Sequence, residues 1–195
     1  EYIQQAKAYF LSKPQRYTGQ NIRDYAIFTL GINMARRCGD LLHIRIHNVL
    51  NPDNTIRDTI NIREQKTGKI ARLPITPVIK EALELYIPTL NSPHPSDPLF
   101  PSRNKDLSGN KKPMTIKNFY LKMQGLRKEL EIADPIGTHT MRKTWAYMTV
   151  QNNKDDANVI YGISAALNHN NVETTFRYLG IAQENLNQLF MDNQL

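Results

Sequence analysis

The 195-residue sequence predicts an α+β fold, mainly α, in which a helical bundle carries one small antiparallel β-hairpin. Three observations predict it. Apolar residues recur at three- and four-residue spacing over most of the chain, the spacing drops to two between residues 56 and 75, and prolines break the pattern at 88–113. With 40% hydrophobic and 22% charged residues, the composition is that of a folded domain able to bury a core.

The elements follow in order. Ile3, Ala6 and Phe10 share one helical face, so residues 2–13 form an amphipathic helix ended near Pro14. NIRDYAIFTLGINMARR is a longer, more apolar helix with Ile22, Tyr25, Ala26 and Leu30 inward and Asn21 as its cap. GDLLHIRIHNVL continues as a short helix and then an extended exit. In TIRDTINIREQKTGKIARLPI the alternating Ile56, Ile60 and Ile62, then Ala71, Leu73 and Ile75 beyond KTGK, predict a hairpin with a glycine-containing turn. Thr76-Pro77 opens a helix through about Tyr86, with Thr as cap and Pro at the first helical position. The six prolines of residues 88–113 predict a long internal loop, basic towards its end. A helix from Thr115 to about Leu130 turns Phe119, Met123, Leu126 and Leu130 inward. Another begins after Thr138 with Met141, Trp145 and Met148 facing the core. Helices near 155–166, 171–178 and 182–193 complete the chain.

Several classes are excluded by what the chain lacks. No apolar run approaches the roughly 20 residues of a spanning helix. EYIQQAKAYFLSKPQRY has neither the apolar core nor the cleavage site of a signal peptide. Cys38 is the single cysteine, so an internal disulfide and a cysteine metal cluster are excluded, and a cytoplasmic location fits. No membrane contact is expected.

Net charge is +7 and uneven. Residues 101–150 carry ten Lys/Arg against four Asp/Glu, residues 1–50 seven against three, and residues 151–195 two against five. Two basic blocks and an acidic tail suggest a face turned towards a polyanion; general solubility charge is the plainer alternative.

Four stretches carry groups suited to anion chemistry. In GTHTMRKTW, His139 and Arg142 are three apart at a helix start and project from one face. In ARRCGDLL, Arg37 lies beside Asp40, either salt-bridged or aimed at an anion that its planar guanidinium would bind bidentately; Arg36 is the rival for that role. In EQKTGK, Lys66 sits at the hairpin tip, where most lysines only discourage edge pairing. LNHNNVETTFRYLGI holds His169, Arg177 and Tyr178. Taken singly, each has an ordinary structural explanation. Together, two Arg, two His, a hairpin Lys and a late Tyr are the groups needed to cut a phosphodiester through a covalent intermediate without metal.

This ordered set resembles the catalytic domain of the tyrosine recombinases, the phage-integrase family, and in particular integrases of phages and conjugative transposons. The family's first Arg lies in an R-x-x-[E/D]-L-L context, which Arg37-Cys38-Gly39-Asp40-Leu41-Leu42 matches. EQKTGK matches its hairpin, THTMRKTW its H-x-x-R box, and LNHNNVETTFRYLGI its LGH…T-x-x-Y end. Two departures stand out: Asn168 replaces the usual Gly of LGH, and Ala35-Arg36 replaces a Gly-Leu pair. Asn tolerates a left-handed backbone better than most residues, so the turn is expected to survive.

The resemblance implies a tyrosine-recombinase catalytic-domain fold over residues 1–195, without the family's N-terminal core-binding and arm-binding domains. It implies an enzyme that cleaves and rejoins double-stranded DNA with no cofactor, metal or ATP, integrating or excising a mobile element. Tyr178 would attack the phosphate to give a 3′-phosphotyrosyl link. Arg37, Arg142 and His169 would neutralise the equatorial oxygens. Lys66 would protonate the leaving 5′-oxygen, and His139 would act as base or orient the phosphate. Arg177 is left as a phosphate or structural contact. A C-terminal segment with Leu186, Leu189 and Phe190 on one face would dock in trans in a DNA-bound tetramer or pack in cis. A type IB topoisomerase and a DNA-binding module without catalysis are the competing readings.

Overall fold

The computed structural model describes residues 2–14, 19–156, 158–180 and Met191. Its axis is α2 (Gln20–Asn33), in which every residue from Arg23 to Ile32 is buried. A helix apolar over so much of its circumference must be covered on several sides. α1 (Tyr2–Ser12), α3 (Cys38–Leu42), α5 (Pro77–Tyr86) and α7 (Thr138–Asn152) all pack on it. Gly31 admits α7, because a Cβ there would come within 2.3 Å of Met141 Sδ.

Both ends of α2 differ from expectation. Gly19 with φ 75°, not Asn21, precedes the first turn, and Asn21 Nδ2 instead donates to the Leu11 carbonyl at 2.7 Å. The helix stops at Asn33 because Ala35 has φ 56°, a left-handed conformation that no α-helix continues. Arg36 and Arg37 therefore lie in a connection, and Arg37 takes the cap position of α3. The extended exit expected after α3 contains instead a one-turn helix, α4 (Ile46–Val49), whose start is closed by Arg45 N–H donating to Asn48 Oδ1 at 2.8 Å.

The predicted hairpin is present as β1 (Thr59–Arg63) and β2 (Ile70–Pro74). The antiparallel register sets Ile60 opposite Leu73 and Ile62 opposite Ala71, putting the alternating apolar residues on one face. Ile56 lies outside β1, bridged to Leu50. α5 begins at Pro77 as predicted, although Thr76 makes no side-chain capping bond.

The long loop expected at 88–113 is a correction. After a 3-10 turn at Ile87–Thr89, the chain forms a second hairpin, β3 (Pro101–Lys105) with β4 (Lys111–Pro113). Pro101 opens one strand and Pro113 ends the other, positions where a missing N–H is tolerated. Asp106 Oδ1 closes the turn by accepting the N–H groups of Ser108 and Asn110. Proline count is thus a poor guide here.

α6 (Ile116–Glu129) is capped by Thr115, whose hydroxyl accepts from Asn118 N–H at 3.2 Å. It buries Phe119, Met123 and Leu126 as predicted. In α7 the buried stripe is Met141, Arg142 and Ala146; Trp145 is half-buried and Met148 is 37% exposed, contrary to expectation. The stripe is rotated because Arg142 occupies an inward position. α8 (Val159–Ala166) and α9 (Val172–Leu179) then build a small second core of Ala35, Ala146, Ile163 and Leu167, with Trp145, Tyr178 and Leu179 packed on it. The helix expected at 182–193, with Leu186, Leu189 and Phe190, lies outside the described residues apart from Met191. No described helix is long and apolar enough to cross a membrane.

Candidate active site

The site forms where the α2–α3 connection, the β1–β2 turn, α7 and the α8–α9 turn meet. Arg36 and Arg37 divide two jobs there. Arg36 is 4% exposed; its Nη1 donates to Glu64 Oε1 at 2.5 Å and its Nη2 to the Ala166 carbonyl. Its charge is consumed inside the protein. Arg37 is 26% exposed in its side chain and more loosely held, with Nη1 at 3.4 Å from Glu64 Oε2 and 3.9 Å from Asp40 Oδ2. Of the two side chains, Arg37 is the more exposed.

Glu64, 2% exposed, and Asp40, 3% exposed, are buried carboxylates of the site. Burial pushes the Glu64 carboxyl towards the neutral form. The Thr67 hydroxyl, Arg36, Asn168 and Arg37 outweigh burial and hold it below the usual glutamate range.

Arg142 is buried on the first turns of α7, and its Nη2 donates to the Leu167 carbonyl. Its Nη1 is buried with no hydrogen-bond partner among the described residues. Burial, then the nearby Arg37 charge, lowers its pKa, while Tyr178 acts in the opposite direction. The two guanidiniums therefore share one electrostatic neighbourhood.

The α8–α9 turn delivers the next groups. Asn168 adopts φ 53°, the left-handed geometry anticipated where Gly is usual. Its amide donates to Glu64 Oε2 at 3.2 Å and its carbonyl accepts from Lys69 Nζ at 3.3 Å. Next in the chain, His169 has Nδ1 2.9 Å from the hydroxyl of Thr175, a fully buried residue of α9. That contact commits Nδ1 and leaves Nε2 as the ring's free nitrogen. Burial lowers the imidazole pKa first, then Arg142 and Arg37 add to it. The Tyr178 ring meets the His169 ring edge-on, centroids 5.5 Å apart. Tyr178 Oη is buried without a hydrogen-bond partner among the described residues. Burial raises its pKa; Arg142 and Arg37 pull it down.

Arg37, Arg142, His169 and Tyr178 are thus brought together. No hydrogen bond, ion pair or ring contact joins Lys66 or His139 to them among the described residues. Lys66 is exposed in the turn after β1, and His139 is exposed one helical turn before Arg142. Arg177 points outward and pairs with Glu173 at 2.8 Å. A cavity of about 620 Å³ lies between α1, α2, β3 and α6, lined by Tyr9, Arg23, Asp24 and Lys122 among others, and includes none of these seven residues.

Sequence reasoning missed Glu64, Thr175 and Lys69. Glu64 and Lys69 lie in the quoted hairpin but carry no motif signal. Thr175 was inside the T-x-x-Y signature, three residues before the tyrosine, without a role attached to it.

By fold, the chain is similar to solved tyrosine recombinases. It matches XerA recombinase with a TM-score of 0.66 at 20% identity, covering 98% of this chain and 62% of that one. It matches the Tn1549 transposon integrase, solved in complex with circular intermediate DNA, with a TM-score of 0.61 at 16% identity, covering 94% and 62%. The chain therefore spans less than two thirds of either structure. In sequence it is 31% identical over 189 residues to the probable integrase/recombinase YoeC of Bacillus subtilis (strain 168), covering 94% of this chain and 88% of the relative. The profile of the phage integrase family matches residues 4–185. The chain belongs to the phage integrase family.

Proposed function

We propose that this chain is the catalytic part of a site-specific DNA recombinase that integrates or excises a mobile element through a 3′-phosphotyrosyl intermediate. One observation carries the reading: a guanidinium nitrogen of Arg142 and Tyr178 Oη are both buried without a hydrogen-bond partner among the described residues, and the charges of Arg142 and Arg37 both act on the phenol. Burying an unpaired charged donor costs about 1–3 kcal/mol or more, and a phosphate oxygen is the partner that would offset it.

Tyr178 attacks phosphorus with its phenol oxygen; the phenol proton leaves to a base, for which His139 is the candidate. Because burial raises the phenol's pKa, it is protonated at neutral pH and a base is required. Arg37, Arg142 and Nε2 of His169 hydrogen-bond the equatorial oxygens, each such donor being worth ~2.7–4 kcal/mol of barrier. Lys66 gives a proton to the departing 5′-oxygen. The phosphodiester energy is kept in the phosphotyrosyl bond, so rejoining needs no ATP. Double-stranded DNA would lie across the exposed cations of β3 and β4, Lys105, Lys111 and Lys112, and Lys117 of α6. That hairpin occupies the most basic stretch of the sequence. DNA-binding segments N-terminal to this chain and assembly into a tetramer complete the proposal.

The test is a duplex nicked so that cleavage traps the enzyme, offered to the full-length protein. A covalent protein–DNA adduct that vanishes in Tyr178→Phe supports the reading. Tight DNA binding with no adduct makes the protein a binding module. Relaxation of supercoils on any sequence favours a topoisomerase.

A further inference from the structure

We infer that Glu64 is a positioning residue that couples the Lys66 hairpin to the arginine side of the site and to the turn carrying His169; this rests on the catalytic reading above. Its two oxygens do different work. Oε1 serves Arg36 at 2.5 Å, an internal ion pair. Oε2 accepts from three elements at once: Arg37 at 3.4 Å, the Thr67 hydroxyl at 2.8 Å, and the Asn168 amide at 3.2 Å.

The turn that bears Lys66 is held from both of its flanks. Gln65 N–H donates to Asp40 Oδ1 at 2.9 Å, and Thr67 donates to Glu64. These are the same two carboxylates that flank Arg37. The turn's backbone also closes on Glu64, whose N–H donates to the Lys69 carbonyl at 2.8 Å and whose carbonyl accepts from Gly68 N–H at 2.8 Å. On the far side, Lys69 Nζ reaches Asn168 Oδ1 at 3.3 Å. An exposed four-residue tip would otherwise sample many conformations, and a lysine placed by it would seldom meet the leaving oxygen.

The brace takes in two further side chains. Arg36 binds Oε1 and Asn168 binds Oε2. Arg36 further donates to the Ala166 carbonyl, two residues before Asn168. The two side chains meet at one carboxylate, so Glu64, Arg36 and Asn168 act as a set.

Removing Glu64 itself strands buried Arg36, so the test cuts its two links instead, in the full-length protein. Thr67→Val deletes the hydroxyl at an exposed position. Asn168→Gly deletes the amide but suits φ 53°. Single-turnover cleavage is compared on two suicide duplexes, one with the normal bridging 5′-oxygen and one with sulfur there, which leaves as thiolate without a proton. On the oxygen substrate Thr67→Val and Asn168→Gly each slow cleavage between about 10- and 100-fold. On the sulfur substrate both stay within about twofold of the parent, as Lys66→Ala does. Thr67→Ser restores the oxygen rate. Equal losses on both substrates, or none on either, overturn the inference.

Amide exchange supplies a readout independent of chemistry. Gln65 and Gly68 N–H groups exchange faster in both variants if the brace holds the turn, and at the parental rate if it does not. Should the parent form no Tyr178-dependent adduct, the catalytic reading falls, while exchange still decides whether the brace exists.

Discussion

Glu64→Gln removes one charge from a buried pair while keeping the side chain's shape. Arg36, 4% exposed, keeps the Met34 and Ala166 carbonyls and the new amide oxygen as acceptors but loses its directly bonded countercharge. Stranding one member of a buried ion pair costs about 3–5 kcal/mol, mostly the penalty for an uncompensated charge. The Arg37 contact adds little to this, since Arg37 is a quarter exposed and screened. For a chain of 195 residues each kcal/mol shifts Tm by about 2–4 °C, so the fall is on the order of 6–20 °C by circular dichroism. Arg36→Met alone costs less, because Glu64 retains Arg37, Thr67 and Asn168. The double variant Arg36→Met/Glu64→Gln removes both charges and is more stable than Glu64→Gln alone. The acid limb gives a second signature. Folding holds the Glu64 pKa below its ordinary value, so the unfolded chain takes up the proton first as pH falls. The pair's stabilisation is complete above the ordinary glutamate value of about 4.3 and is lost as pH drops through the lower folded value. Glu64→Gln flattens that limb. A Glu64→Gln cost under about 1 kcal/mol, or a double variant equal to the sum of the singles, refutes the buried-pair account.

His169 is expected to titrate below the ordinary histidine value, followed by ring-carbon NMR. Its contribution to stability is present at neutral pH and fades as pH falls through the folded value. Thr175→Val frees Nδ1, redistributing the ring proton between the two nitrogens as seen in 15N spectra and slowing cleavage, while Thr175→Ser restores both; an unchanged tautomer ratio removes Thr175 from the mechanism. On non-specific duplex DNA, Lys105→Ala and Lys112→Ala each reduce the slope of log K against log salt by about 0.9 if they contact phosphate, and leave it unchanged if the second hairpin faces away.

Local signals carried most of the fold. β1–β2 was legible because one face is buried and the other is not, which writes a period of two into the residues. α1, α5 and α6 were legible because their buried stripes follow the helical period and their starts are marked by Thr or stops by Pro. The second hairpin was misread because its prolines sit at strand ends, where they punctuate without preventing pairing. The end of α2 was misplaced because Ala35 is an ordinary helix former, and its φ of 56° leaves no signal in the local sequence. Met148 was assigned inward because nothing local signals that Arg142 will claim the buried stripe of α7.

The linear order of residues carried the family resemblance: an arginine, a hairpin lysine, H-x-x-R, a histidine and a tyrosine follow one another along the chain as a pattern of residue types. Only the folded chain decided that Arg36 is spent inward while Arg37 faces out, that Thr175 holds His169, and that Glu64 stands between hairpin and turn. Those outcomes depend on groups more than a hundred positions apart, Arg36 with Ala166 and Glu64 with Asn168 among them. Burial and hydrogen-bond satisfaction are properties of such distant neighbours, and no spacing rule within one segment encodes them.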